Sequence, residues 1–132
     1  MSSLDKKILF SSEEKKLLLI LKLVIFYYHT LDENEIQILN TTVQNLDAKE
    51  EFEWVKNFIN NDVSTGFEKA KEFLKKFDNL DIEKKILILN DVWESANKKG
   101  YITEMEATAL LKLAKDWKIE KELLALVRKK WQ

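Results

Sequence analysis

Asp91 and Glu94 stand one helical turn apart. Carboxylates at that spacing could divide general acid and general base work between them if a pocket raised the pKa of one. His29 is the sole histidine. It falls at a helix end just before a capping residue, where it can meet the last carbonyls, and no cysteine, second histidine or nucleophile accompanies it as a triad would require. The absence of cysteine removes thiolate nucleophiles, disulfides, zinc fingers and iron–sulfur clusters. Two isolated glycines, Gly66 and Gly100, cannot form a phosphate-cradling loop. Catalysis would therefore rest on the carboxylate pair alone, and acids on an amphipathic helix are commonly a solvated face. The chain reads as a protein that is not an enzyme, with no catalytic residue and no organic cofactor; a helical enzyme built on Asp91 and Glu94 is the lesser alternative.

These side chains need elements to hold them, and the composition supplies enough. The 132 residues are 45% hydrophobic and 34% charged, with 22 basic and 23 acidic groups. This reads as a single helical domain over 1–132, with 1–11 a loosely packed segment from which Ile8, Leu9 and Phe10 reach the core. A chain of this length buries roughly two thirds of its unfolded surface, so no metal or disulfide is required. Among the basic residues only Arg128 carries the guanidinium fork suited to phosphate and base readout, which argues against a nucleic-acid partner. The longest apolar run, Leu17 to Tyr28, is broken by Lys22 and is too short to span a bilayer. Asp5, Glu13 and Glu14 are out of place in a secretory leader. A buried central helix is expected instead, with Lys22 snorkelling from it to the surface.

The chain has no proline, so helix caps provide its punctuation. A Ser, Thr or Asp followed three residues later by Glu satisfies two orphan backbone N–H groups reciprocally. That spacing occurs at Ser11/Glu14, Asp32/Glu35, Asp47/Glu50, Thr65/Glu68 and Thr103/Glu106. Behind the caps, apolar residues recur at three and four, as in Ile36-Leu39-Val43-Leu46 and Ile82-Ile86-Leu89-Trp93-Ala96. The pattern predicts an all-α bundle of seven helices near 12–28, 32–46, 48–61, 66–78, 82–99, 104–116 and 119–131. Gly100 is expected to close the fifth helix in a left-handed conformation.

Shifting the chain by 71 positions lays Tyr28-His29-Thr30-Leu31-Asp32-Glu33-Asn34-Glu35 on Lys99-Gly100-Tyr101-Ile102-Thr103-Glu104-Met105-Glu106. Each copy is a helix end, a corner, an aliphatic staple, a cap and a Glu at the third helical position, which suggests two pseudo-repeated helix pairs. This corner resembles the tellurite-resistance TerB-like domains, whose hallmark is a helix ending in Asp-Gly, one residue, an aliphatic residue, three more and a Glu opening the next helix. The resemblance runs from about Glu13 to Leu124. It implies a compact helical domain, and a bacterial, largely cytoplasmic protein tied to chemical stress or phage defence and to membrane-associated complexes. It also implies divalent-metal binding at the corner acids. Here Glu35 and Glu106 match the motif's glutamates, while Tyr28 and Lys99 occupy the Asp position and His29 and Gly100 the Gly position. A cation site would use Glu35, Glu106 and neighbours such as Glu104. Hard cations want several oxygen ligands; the structural role of the two glutamates is as capping partners.

The near-zero total charge conceals a polarised distribution. Residues 32–62 hold eight acids and two lysines, whereas 112–132 hold seven basic groups and three acids. Acidic second and third helices, with Glu50, Glu51 and Glu53, and a basic C-terminal helix, with Arg128, Lys129 and Lys130, suit protein partners or a homodimer. Membrane association would come only through a partner. Trp54, Trp93 and Trp117 are expected in the core, each seeking an acceptor for its indole N–H, while terminal Trp131 could dock on a partner.

Overall fold

A computed structural model describes residues 10–26, 33–59, 63–97 and 102–130 of the chain. The described residues contain seven helices and no strand: α1 (Ser12–Phe26), α2 (Glu33–Leu46), α3 (Lys49–Ile59), α4 (Val63–Lys75), α5 (Ile82–Asn97), α6 (Glu104–Asp116) and α7 (Glu120–Lys130). The protein is all-α, as the three- and four-residue spacing requires. None of these helices is long and apolar enough to cross a membrane.

Helix α1 is the axis of the bundle. Every residue from Leu17 to Ile25 is buried, and α3, α4, α5, α2 and α6 all pack against it. Burying each of its aliphatic side chains contributes about 1.5–3 kcal/mol of transfer free energy. Helix α5 runs parallel to α1: Glu14 pairs with Lys84 and, farther along both helices, Lys22 pairs with Asp91. On the outer side α6 and α7 pack on α5, while α3 and α4 pack on α1 and on each other.

Two of the five cap signatures form complete capping boxes. At Ser11 the hydroxyl accepts from the Glu14 amide at 3.1 Å and the Glu14 carboxylate accepts from the Ser11 amide at 2.9 Å. Thr103 and Glu106 repeat the arrangement at 3.1 and 2.9 Å. Two others do not cap. Helix α4 begins at Val63, so Thr65 lies inside its first turn. Asp47 sits at φ 51°, past the end of α2, where its amide donates to the Gln44 carbonyl and that of Ala48 to the Val43 carbonyl. This pair of bonds is the left-handed closure that glycine usually serves. Lys118 ends α6 in the same way at φ 63°, with Lys118 N–H on Lys115 O and Ile119 N–H on Ala114 O. Asp32, Gly100, Ile8 and Leu9, with the expectations placed on them, lie outside the described residues.

Several core expectations shift by one helical position. Ile36 is exposed because Glu35, one residue earlier, takes the inward place on the line that continues through Leu39. Ile82 is exposed because Lys85 heads the inward line of α5 and caps the Asp78 carbonyl at 2.7 Å. Trp54 is 39% exposed, since its neighbour Val55 fills the core position. Its ring stacks on Phe58 at 4.9 Å and carries the Lys16 ammonium 4.4 Å from its centroid.

Candidate functional site

The chemistry anticipated on α5 is taken up by the core. Lys22 does not reach the surface. It lies in the middle of α1, where its backbone is walled in by neighbouring helices, and its side chain is 3% exposed. Its ammonium meets Asp91 Oδ2 at 2.6 Å and donates to Thr42 Oγ1 at 3.0 Å; the Thr42 hydroxyl in turn donates to the Ile38 carbonyl at 2.9 Å. One cation thus links α1, α2 and α5. Asp91 Oδ2 makes no hydrogen bond of good geometry, and the ammonium at contact distance is what compensates its burial. Glu94 has a different partner, accepting from Asn90 Nδ2 at 2.8 Å. The two carboxylates therefore have separate neighbours and separate tasks.

Glu35 and Glu106 are both fully buried, at 0% exposure, in the first turns of α2 and α6. Glu106 is consumed by the Thr103 capping box. Glu104 is exposed one turn earlier on another face of the same helix. Among the described residues no group of three His, Cys, Asp or Glu comes together to hold a metal ion. The corner positions Tyr28, His29 and Lys99 lie outside the described residues.

Two carboxylates are tuned by their surroundings. Burial raises the Glu14 pKa, but the hydrogen bond from Lys84, the Ser11 amide and the Lys84 charge outweigh it and hold the group below its usual value. The Ser12 hydroxyl, donating at 2.7 Å, lowers Glu51 against a smaller opposing effect of burial. Both interactions fasten the start of α1, the first to α5 and the second to α3. Their geometry is that of structural clasps.

No known family, curated protein or solved structure matches the chain. The arrangement of its own residues is what bears on function.

Of the acidic surface anticipated on the second and third helices, Glu50 and Glu53 are exposed on α3 with Trp54 beside them. Glu53 is paired along the helix with Lys56 at 2.7 Å, and Glu51 is turned to Ser12. The outer face of α2 is neutral rather than acidic beyond Glu33: Gln37, Asn40, Thr41, Gln44 and Asn45 are all exposed. Arg128 is exposed on α7; the side chains of Lys129 and Lys130, and all of Trp131, lie outside the described residues. A depression of about 300 Å³ runs along α6 beside Glu104, Met105, Thr108, Ala109 and Lys112.

Sequence reasoning missed the Lys22–Asp91–Thr42 cluster, although a lone lysine in the longest apolar run was its signal. It also expected an acceptor for every tryptophan. The Trp117 indole N–H is buried without one, and the ring instead carries the Lys85 ammonium 5.6 Å from its centroid.

Proposed function

We propose that the protein is a non-enzymatic helical module of the TerB-like kind that acts through protein–protein contacts. The observation that carries this reading is Trp54, a large aromatic 39% exposed on α3 and flanked by exposed Glu50 and Glu53. Exposed tryptophans with polar surroundings are the residue type that anchors protein interfaces. The engagement of Asp91 by Lys22 and of Glu106 by the Thr103 cap supports the same reading, because carboxylates so held are committed to the fold. A stress or defence role in a bacterium and a cytoplasmic location belong to this proposal through the resemblance of the corners.

The test is site-specific photocross-linking from position 57, one turn beyond Trp54, in the native host. Specific adducts should form with the natural chain and disappear in Glu50→Lys and Trp54→Ala variants that keep their helicity and melting temperature. Adducts that persist unchanged in both variants would remove α3 as the contact face.

A further inference from the structure

We propose that α2 is a detachable flap, held on α1 by a polar latch that its release leaves intact on the core side. Positions 71 apart allow a direct comparison with α6, which occupies the corresponding place beside α5. In α6, Glu106, Ala109, Leu110, Leu113 and Ala114 are buried, and the helix packs on α5, α7 and α1. In α2 only Glu35 and Leu39 are buried among the described side chains, with Ile38, Thr42, Val43 and Leu46 half-buried. Its packing partners are α1 and, lightly, α3.

The seams differ in chemistry as well as extent. Where the second half places Trp93 on the central helix and Leu113 on the flanking one, both buried, the first half places Lys22 and Thr42. Dry apolar packing is thereby replaced with an ammonium-to-hydroxyl hydrogen bond of 3.0 Å. Such a bond is exchangeable with water, because water can donate to Thr42 and accept from Lys22 when the helix lifts. The ion pair with Asp91 lies between α1 and α5 and is untouched by that motion. Lifting α2 therefore strands no buried charge, the usual penalty for opening a polar seam. The outer face of α2 favours the open state too, since Gln37, Asn40, Thr41, Gln44 and Asn45 remain solvated in both. Opening bares Leu39, Val43, Leu46 and the strip of α1 beneath them.

Native-state amide hydrogen exchange tests this on the whole chain. Amides in the interior turns of α2 should exchange at least about ten-fold faster than those of α6, with an opening that depends little on denaturant, as local openings do. The isosteric Thr42→Val variant removes the latch acceptor, and it should speed exchange across α2 several-fold while leaving α6 and the global unfolding transition in place. Equal protection of α2 and α6 in the natural chain, both following global unfolding, would overturn the proposal. So would a Thr42→Val variant in which α2 and α6 shift together.

Discussion

Removing Asp91 leaves the Lys22 ammonium with Thr42 as its remaining partner in the described core, at a site where its side chain is 3% exposed. Breaking a buried ion pair from one side costs about 3–5 kcal/mol, because the surviving charge must be hydrated in place or neutralised. Asp91→Ala should therefore destabilise the fold by about 3 kcal/mol, the lower end of that range, since Thr42 still accepts one hydrogen bond. The reverse change is milder. Lys22→Met strands a carboxylate that is 14% exposed and closer to water, so a loss of about 1–2 kcal/mol is expected, offset in part by the apolar packing of Met within α1. The double variant Lys22→Met/Asp91→Leu removes both charges and should lie within about 1 kcal/mol of the natural chain, as replacements of buried pairs by apolar residues do. For a domain of this size, 3 kcal/mol corresponds to a fall in melting temperature of roughly 6–12 °C. Urea unfolding followed by far-ultraviolet dichroism, read as a double-mutant cycle, measures the coupling directly. Single variants that each lose under about 0.5 kcal/mol and add without coupling would refute the assignment of the cluster as a buried pair.

Gly66 lies inside α4, where an added Cβ would sit 3.6 Å from Val24 Cγ2 and 3.9 Å from Ile59 Cγ2, ordinary contact distances. Gly66→Ala should raise stability by about 1 kcal/mol through helix propensity, measured as a higher urea midpoint at unchanged slope. Lys118 holds φ 63° at an exposed position, so Lys118→Gly should gain about 1 kcal/mol, whereas Lys118→Val should lose more than that. Glu14 is held below its usual 4.5 by Lys84 and the Ser11 amide despite burial. A carboxyl with a folded pKa below its unfolded one contributes stability above the unfolded value and loses it as pH falls through the folded value. Stability should accordingly decline below about pH 4.5, and Glu14→Gln should flatten that acid limb in thermal melts taken between pH 3 and 6.

The helical class was legible because it depends on period and caps, which are local. Ser11/Glu14 and Thr103/Glu106 were recognisable as caps since all their donors and acceptors lie within four residues. Asp47 and Thr65 carried the same spacing and do something else, because a cap is also defined by the element that precedes it. Asp47 follows directly on α2 and is used to end it; a chain with one glycine per dozens of residues must place Asp and Lys where glycine would serve. The burial errors at Ile36, Ile82 and Trp54 have a common origin. Hydrophobicity predicts which arc of a helix faces inward, but the line of closest approach is set by the partner helix, and a capping Glu or a lysine stem can occupy it. The Lys22–Asp91 pair was illegible in a different sense. It joins residues 69 positions apart, and only the parallel packing of α1 and α5 brings them together.

What the 71-residue spacing preserves and what it changes are physically distinct sets. Preserved are the buried first-turn glutamates Glu35 and Glu106 and the left-handed closures at Asp47 and Lys118, which fix where helices begin and end. Changed are the residues of the seam, Lys22 against Trp93 and Thr42 against Leu113, which fix how tightly a helix is held. Boundary-setting groups act through backbone hydrogen bonds whose loss leaves buried donors or acceptors unpaired, so alternatives are few. Seam residues trade apolar area for polar contact over a continuous range, with the architecture unaltered as long as each buried polar group keeps a partner. Lys22 meets that condition twice, through Asp91 and Thr42. A chain can therefore soften one flank of its bundle without changing its fold, and α2 is the helix on which that freedom has been used.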